Sequence, residues 1–112
     1  MSGALKFDTD KPRMELLDRH ALEQIARVMA YGAKKYTTPD AAGEHNWRKG
    51  FKWSRIYGAA MRHLLAHMDG EDKDPDTGIS HLAHLGCCVM FLLWHEKNKP
   101  ELDDRYKGEK NA

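Results

Sequence analysis

Apolar residues recur every three to four positions in three stretches of this chain, and nowhere do Val, Ile or Thr alternate with polar residues over the length of a strand. The first stretch predicts a helix over about Arg19 to Lys34. Leu22, Ile25, Met29 and Gly32 share one face, joined by Ala26, with Arg19, Glu23 and Arg27 opposite. Asp18 stands where its carboxylate can cap the first-turn amides. The second stretch predicts a helix from Ser54, read as its cap, to about Met68, with Ile56, Ala60, His63, Leu64 and His67 facing inward. The third runs from about Ile79 to Glu96 behind Asp76 or Thr77 as cap. Apolar residues cover most of its circumference, which marks a buried central helix.

Between these stretches the periodicity stops. From Tyr36 to Trp53 the chain carries turn residues, then the compact string Asn46-Trp47-Arg48-Lys49-Gly50. Loops of that length are often functional. Asp69 to Gly78 is an acidic connector with Glu71, Asp72, Asp74 and Asp76, short enough to fold the second helix back against the third. From Lys97 the chain is charged, with Pro100 and Gly108, and reads as a short extra helix or a tail used in assembly. The fold expected is all-α: a small helical bundle with a central buried helix hairpin and a long functional loop. It divides into an N-terminal segment (1–18), a helical domain (19–96) and a charged C-terminal segment (97–112).

Composition narrows the function classes. The 112 residues suit one domain, and 41% hydrophobic with 31% charged residues is ordinary for a globular one. Lys plus Arg number 18 against 17 for Asp plus Glu, a net charge of +1, which argues against a protein that coats long nucleic acid. The apolar run Leu82 to Trp94 is shorter than the ~20 residues of a membrane span. Met1 to Lys11 lacks the apolar core of a signal peptide. Adjacent Cys87 and Cys88 imply no disulfide framework and read as small apolar residues of a reducing compartment. A cytoplasmic protein is expected. So small a chain buries a modest core, so assembly as a homo-oligomer is expected too.

Two constellations could carry chemistry. His63 and His67 lie four apart near the end of the second helix, and His81 and His84 three apart at the start of the third, so each pair shares a face. A hairpin brings the four imidazoles together beneath Glu71 and Asp74. Imidazole with carboxylate suits a divalent metal such as zinc, manganese or iron, while magnesium would rely on the carboxylates. The bland alternative is a set of hydrogen-bonded core histidines. The connector is no EF-hand, since Thr77 and Ala83 occupy the positions where that loop needs Gly and Glu.

The second constellation is a local excess of cations that the neutral total hides. Lys34, Lys35, Arg48, Lys49, Lys52, Arg55 and Arg62 face only Asp40 and Glu44 between Tyr31 and Arg62, with six aromatic residues interleaved. Cations take phosphate oxygens and flat rings stack on bases. The patch is small, which fits a mononucleotide or short cyclic nucleotide better than a long nucleic acid. Its bland alternative is a solvated face over packed aromatics. No Walker loop or serine elbow is present.

The ordered strings Lys6-Phe7-Asp8, Lys11-Pro12, Tyr31-Gly32-Ala33-Lys34-Lys35-Tyr36, Asn46-Trp47-Arg48-Lys49-Gly50, Arg62-His63-Leu64, Gly70-Glu71-Asp72 and His81-Leu82-Ala83-His84 resemble the phage family labelled dATP/dGTP diphosphohydrolase, N-terminal domain. That family looks related to the all-α pyrophosphohydrolases of the MazG type, whose helix carboxylates hold magnesium and whose reaction splits a nucleoside triphosphate into monophosphate and pyrophosphate. Here the helix positions carry histidines and only the connector supplies acids.

The resemblance implies a metal-dependent diphosphohydrolase of purine (d)NTPs in the cytoplasm of a phage's host. Glu71 and Asp74 are its catalytic candidates, and His63, His67, His81 and His84 with those acids its candidate ligands for Mg, Mn or Zn. Lys11, Lys34, Lys35, Arg48 and Arg62 would bind phosphates, Tyr36 or Trp47 would stack on the base, and Asn46 would read its edge. The alternative is a sponge that sequesters a (cyclic) nucleotide signal of host defence without hydrolysis, which the missing helix carboxylates favour.

Overall fold

The computed structural model describes residues 3–108, so the first two positions of the 1–18 segment and the last four of the 97–112 segment lie outside the described residues. Three helices carry the fold: α1 (Arg19–Lys35), α2 (Trp53–Met68) and α3 (His81–Asn98). Single 3₁₀ turns stand at Met14–Leu16, Asn46–Lys49 and Pro100–Leu102. Among the described residues there is no strand, only two isolated bridges, Thr38 to Ala41 and Lys73 to Ser80. The fold is a small all-α bundle, and no described helix is long and apolar enough to cross a membrane.

Helix α3 is the centre. It packs against α2 on one side and α1 on the other, most extensively on α2. The α2/α3 pair is antiparallel: His63 meets His81 at one end, while at the other Trp53 Nε1 donates to the Lys99 carbonyl at 3.2 Å. The core at this seam holds Trp53 and Ile56 from α2, and Ala83, Cys87 and Cys88 from α3. Gly86 lets α1 come close, because a Cβ there would touch the Ile25 side chain. The third helix is central but not wholly enclosed, since Leu82, Val89 and Leu93 stay about half exposed or more.

Asp18 caps α1 as its position suggests, accepting from the Ala21 amide at 2.8 Å. The other two caps differ from expectation. Ser54 lies inside α2, whose flanking residue Lys52 makes no side-chain cap bond; the carboxylate of Asp104 accepts from the Ser54 amide at 2.9 Å and from its hydroxyl. A cap supplied fifty residues away leaves no local signal. Helix α3 starts two residues later than expected, behind Ser80, whose hydroxyl accepts from the Leu82 amide. Thr77 is drawn off to His84, and Asp76 donates its amide to Asp74.

The loop from 37 to 52 is tied down at three points. The Thr37 hydroxyl donates to the Ala33 carbonyl at 2.7 Å and accepts from the Gly43 amide at 2.9 Å. Trp47 is buried, stacked on Phe91 at 4.5 Å between ring centroids and edge-on to Trp94. His95, wholly enclosed, accepts from the Phe51 amide at Nε2 (3.1 Å) and donates from Nδ1 to the Phe91 carbonyl (2.7 Å). Gly50 turns the chain between these anchors at φ 99°, a left-handed conformation that glycine adopts without steric cost.

Candidate functional site

A cleft of about 660 Å³ opens between α1, the loop and the α2/α3 seam. Lys35, Tyr36 and Asn46 line one part of it; Ala59, His63, Asp74, Thr77 and His84 line another, with Cys87 and Phe91 at its floor. The hairpin and the loop therefore meet in one space. Its charged lining is Lys35 against Glu44, Asp74 and Asp76, an excess of carboxylates.

The histidines converge at the connector end of the seam. His63 Nδ1 lies 2.9 Å from His81 Nδ1, and the His63 ring stacks on His84 at 4.5 Å. Glu71 Oε1 sits 2.6 Å from His81 Nε2. A carboxylate at that distance fixes the proton on Nε2, so the Nδ1 lone pair of a neutral His81 faces His63, whose own Nδ1 then donates. His84 Nε2 pairs with the Thr77 hydroxyl at 2.8 Å. Asp74 stands between the rings, with Oδ2 at 3.9 Å from His63 Nδ1 and 4.0 Å from His84 Nε2.

Burial favours the neutral form of two of the rings. Burial pushes the His63 imidazole below its ordinary 6.5, reinforced by His84, while Asp74 pulls the other way. His84 is also lowered, first by burial, with Asp74 opposing. A neutral imidazole keeps a lone pair free for a metal or a proton. One nitrogen each from His63 and His81 and one oxygen of Asp74 lie within 4.8 Å of one another, a donor set of the type borderline divalent ions take. The cleft-floor thiol of Cys87 is pushed up to about 12 by burial, which leaves it unreactive.

The sequence-predicted residues divide between this place and others. His63, His81, His84, Glu71 and Asp74 come together. His67 does not join them; its Nε2 turns to Asp72 at 3.9 Å, away from the cluster. Lys35, Tyr36, Asn46 and Trp47 line the cleft, while Lys11, Lys34, Arg48 and Arg62 do not. Lys11 is on the exposed N-terminal arm, Lys34 lines a separate shallow groove, and Arg48 covers the Trp47 ring at 4.3 Å while bonding His45. With Phe91 stacked on it as well, the Trp47 ring is core rather than an open platform. Its Nε1 is buried without a hydrogen-bond partner. Two participants escape sequence reasoning. Thr77 reads as a cap, and only its seven-residue lead over His84 hints at the pairing; His95 is a lone histidine in an apolar run and carries no signal.

Similarity to known proteins adds a further finding. The family described as dATP/dGTP diphosphohydrolase, N-terminal, matches residues 2–105. A curated relative, the dATP/dGTP diphosphohydrolase of Salmonella phage PMBT28, is 39% identical over 105 residues, which cover 94% of this chain and 33% of that protein. The chain thus spans about a third of the length of the curated relative it matches. No solved structure matches.

Proposed function

The chain belongs to the dATP/dGTP diphosphohydrolase N-terminal family, and from that premise we propose that it is a metal-dependent diphosphohydrolase acting on purine (d)NTPs. The observation that carries the reading is the junction, in one cleft, of His63, His84 and Asp74 from the histidine–carboxylate cluster with a lysine, an exposed tyrosine and an asparagine.

His63, His81 and Asp74 would hold the ion, with His84 beside them. When bound, Mg²⁺, Mn²⁺ or Zn²⁺ supplies Lewis acidity and charge neutralisation toward the phosphates. The need for it follows from the lining: three carboxylates against one lysine repel a bare triphosphate. Lys35 neutralises part of the charge on the phosphate chain, the half-exposed Tyr36 stacks on the base, and Asn46 meets its polar edge. Asp74 takes the proton of the water that attacks the α-phosphorus as the bond to pyrophosphate breaks. Glu71 acts through His81, holding its tautomer as carboxylates behind metal-bound histidines do. Lys11, Lys34, Arg48, Arg62 and His67 have no part in this arrangement.

The test is incubation of the purified chain with dATP or dGTP and each ion in turn. Release of monophosphate and pyrophosphate is expected, and intact nucleotide with every ion overturns the proposal. A second reading has one observation behind it. The relative named for this activity is three times longer, so its turnover can reside in the remainder, with this portion binding nucleotide only. Calorimetric binding with the nucleotide recovered unchanged after denaturation is the signature of that sponge.

A further inference from the structure

We propose that the indole N–H of Trp47 and the side-chain amide of Asn46 together read the ligand's base, accepting either purine and rejecting pyrimidines. The proposal rests on the nucleotide reading above and assigns atoms to its base selection. Asn46 and Trp47 open the 3₁₀ turn Asn46–Lys49, and both line the cleft. Trp47 is only 9% exposed, yet its Nε1 has no hydrogen-bond partner. Among the described residues it is the one buried side-chain nitrogen or oxygen left so. Buried donors are nearly always paired, and one left open calls for an acceptor from outside the chain. The Asn46 side chain is likewise unengaged by any described residue; only its main-chain amide is used, donating to the Gly43 carbonyl at 3.1 Å.

The neighbours of the indole decide what it can offer. Phe91 stacks on the ring at 4.5 Å between centroids, and the Arg48 guanidinium lies 4.3 Å from the ring centre, too near to share that face. With both faces taken, no base can stack on Trp47. Trp94 stands across it at 4.9 Å and 70°. What the ring has left for a ligand is an edge, and Nε1 is the only polar atom on its edges. Stacking falls to the half-exposed Tyr36 in the same cleft, which leaves the hydrogen-bonding edge of the base to be met by other groups.

The two groups differ in what they can pair with. An indole N–H only donates, whereas a primary amide donates from nitrogen and accepts at oxygen, and a half turn exchanges the two. On the edge that adenine and guanine present outside Watson–Crick pairing, N7 accepts in both. The position beside it is a donor, N6, in adenine and an acceptor, O6, in guanine. A fixed donor suits the constant position and a reversible amide the variable one. Trp47 Nε1 therefore donates to N7, while Asn46 turns to accept from N6 or to donate to O6. The opposite assignment, with Trp47 at the variable position, would turn adenine away. A pyrimidine offers a carbon where N7 would be and leaves the indole unpaired, and a site built around a hydrogen bond rejects a ligand that cannot make it.

Titration calorimetry on the full chain, with Mn²⁺ and non-hydrolysable α,β-methylene triphosphates, tests it. Wild type is expected to bind the deoxyadenosine and deoxyguanosine compounds about equally. Their 7-deaza forms, which carry C–H in place of N7, should bind about tenfold more weakly. Trp47→Phe keeps a ring in the stack and removes the donor, so it should bind ordinary and 7-deaza forms alike, a loss of discrimination that disturbed packing alone would not produce. Asn46→Asp can only accept, and should favour adenine over guanine about tenfold. If Trp47→Phe does not fold, the wild-type comparison decides alone. A wild type that binds the 7-deaza forms as tightly, as it would if Nε1 held only an internal water, overturns the proposal and leaves nucleotide binding standing. A Trp47→Phe protein that still discriminates overturns it too. Binding of none of these nucleotides sinks the nucleotide reading, and this inference with it.

Discussion

Glu71 and His81 are joined at 2.6 Å, and that contact decides which nitrogen of His81 looks toward His63. Residues from two helices and the turn between them are thereby set in one orientation before any ligand arrives.

Breaking that orientation has a predictable cost. Glu71→Gln is expected to weaken Mn²⁺ or Zn²⁺ binding about 10- to 100-fold, the usual effect of losing a supporting carboxylate, without changing the fold. His81→Ala should abolish binding. His67→Ala should leave it unchanged, because that ring faces Asp72. Titration calorimetry on the three variants reads all of this.

Acid should destabilise the protein in a definite window. His63 and His84 titrate below 6.5 when folded and at about 6.5 when unfolded. Between their lowered values and 6.5 the unfolded chain binds more protons, so stability falls as pH falls through that range and is level above it, as far as these two groups contribute. The slope is at most about 1.4 kcal/mol per pH unit for each ring. Denaturant midpoints with chelator present, taken at about pH 7.5 and about pH 5.5, should drop toward acid, and His63→Asn should flatten the drop.

Trp47 and Tyr36 should separate stability from binding. Trp47→Ala removes a ring packed on Phe91 and Trp94 and should cost about 3–5 kcal/mol of folding stability. Tyr36→Ala, at a half-exposed position, should change stability by no more than about 0.5 kcal/mol while weakening nucleotide affinity by about 1–3 kcal/mol. Urea melts and nucleotide titrations of the same two variants make the comparison.

Gly43 should tolerate no side chain. A Cβ there overlaps the Ala33 carbonyl and the Thr37 amide, both backbone atoms that cannot swing aside. Gly43→Ala is expected to cost about 1–3 kcal/mol, as overpacking does, and to loosen the loop against the end of α1, so that thermal stability and nucleotide affinity fall together.

Periodicity made the three helices legible, because Leu22, Ile25 and Met29, or Ile56 and Ala60, repeat at the helical interval whatever their surroundings. The spacing of His63, His81 and His84 likewise announced a cluster, since i+3 and i+4 neighbours share a face in any helix. Direction within that face was not legible. His67 shares it and still turns to the connector, for spacing places a Cβ and not a ring. Lys34 on α1 and Arg62 on α2 miss the cleft because their positions on those helices turn them elsewhere, and Arg48 misses it because a loop has no period from which orientation can be read. The Asp104 contact with Ser54 and the His95 contact with Phe51 pair residues some fifty and forty-four positions apart. Only chain topology creates such pairs.

The surplus of acid over base in the cleft lining has an outcome for life inside a cell. Nucleotides circulate there partly as free polyanions and partly already wedded to a cation. On the function proposed, a negatively lined mouth would turn the former away and receive the latter, so the protein's throughput would track the supply of metal ions as closely as the supply of nucleotide. Starved of the ion, it would fall idle amid abundant ligand.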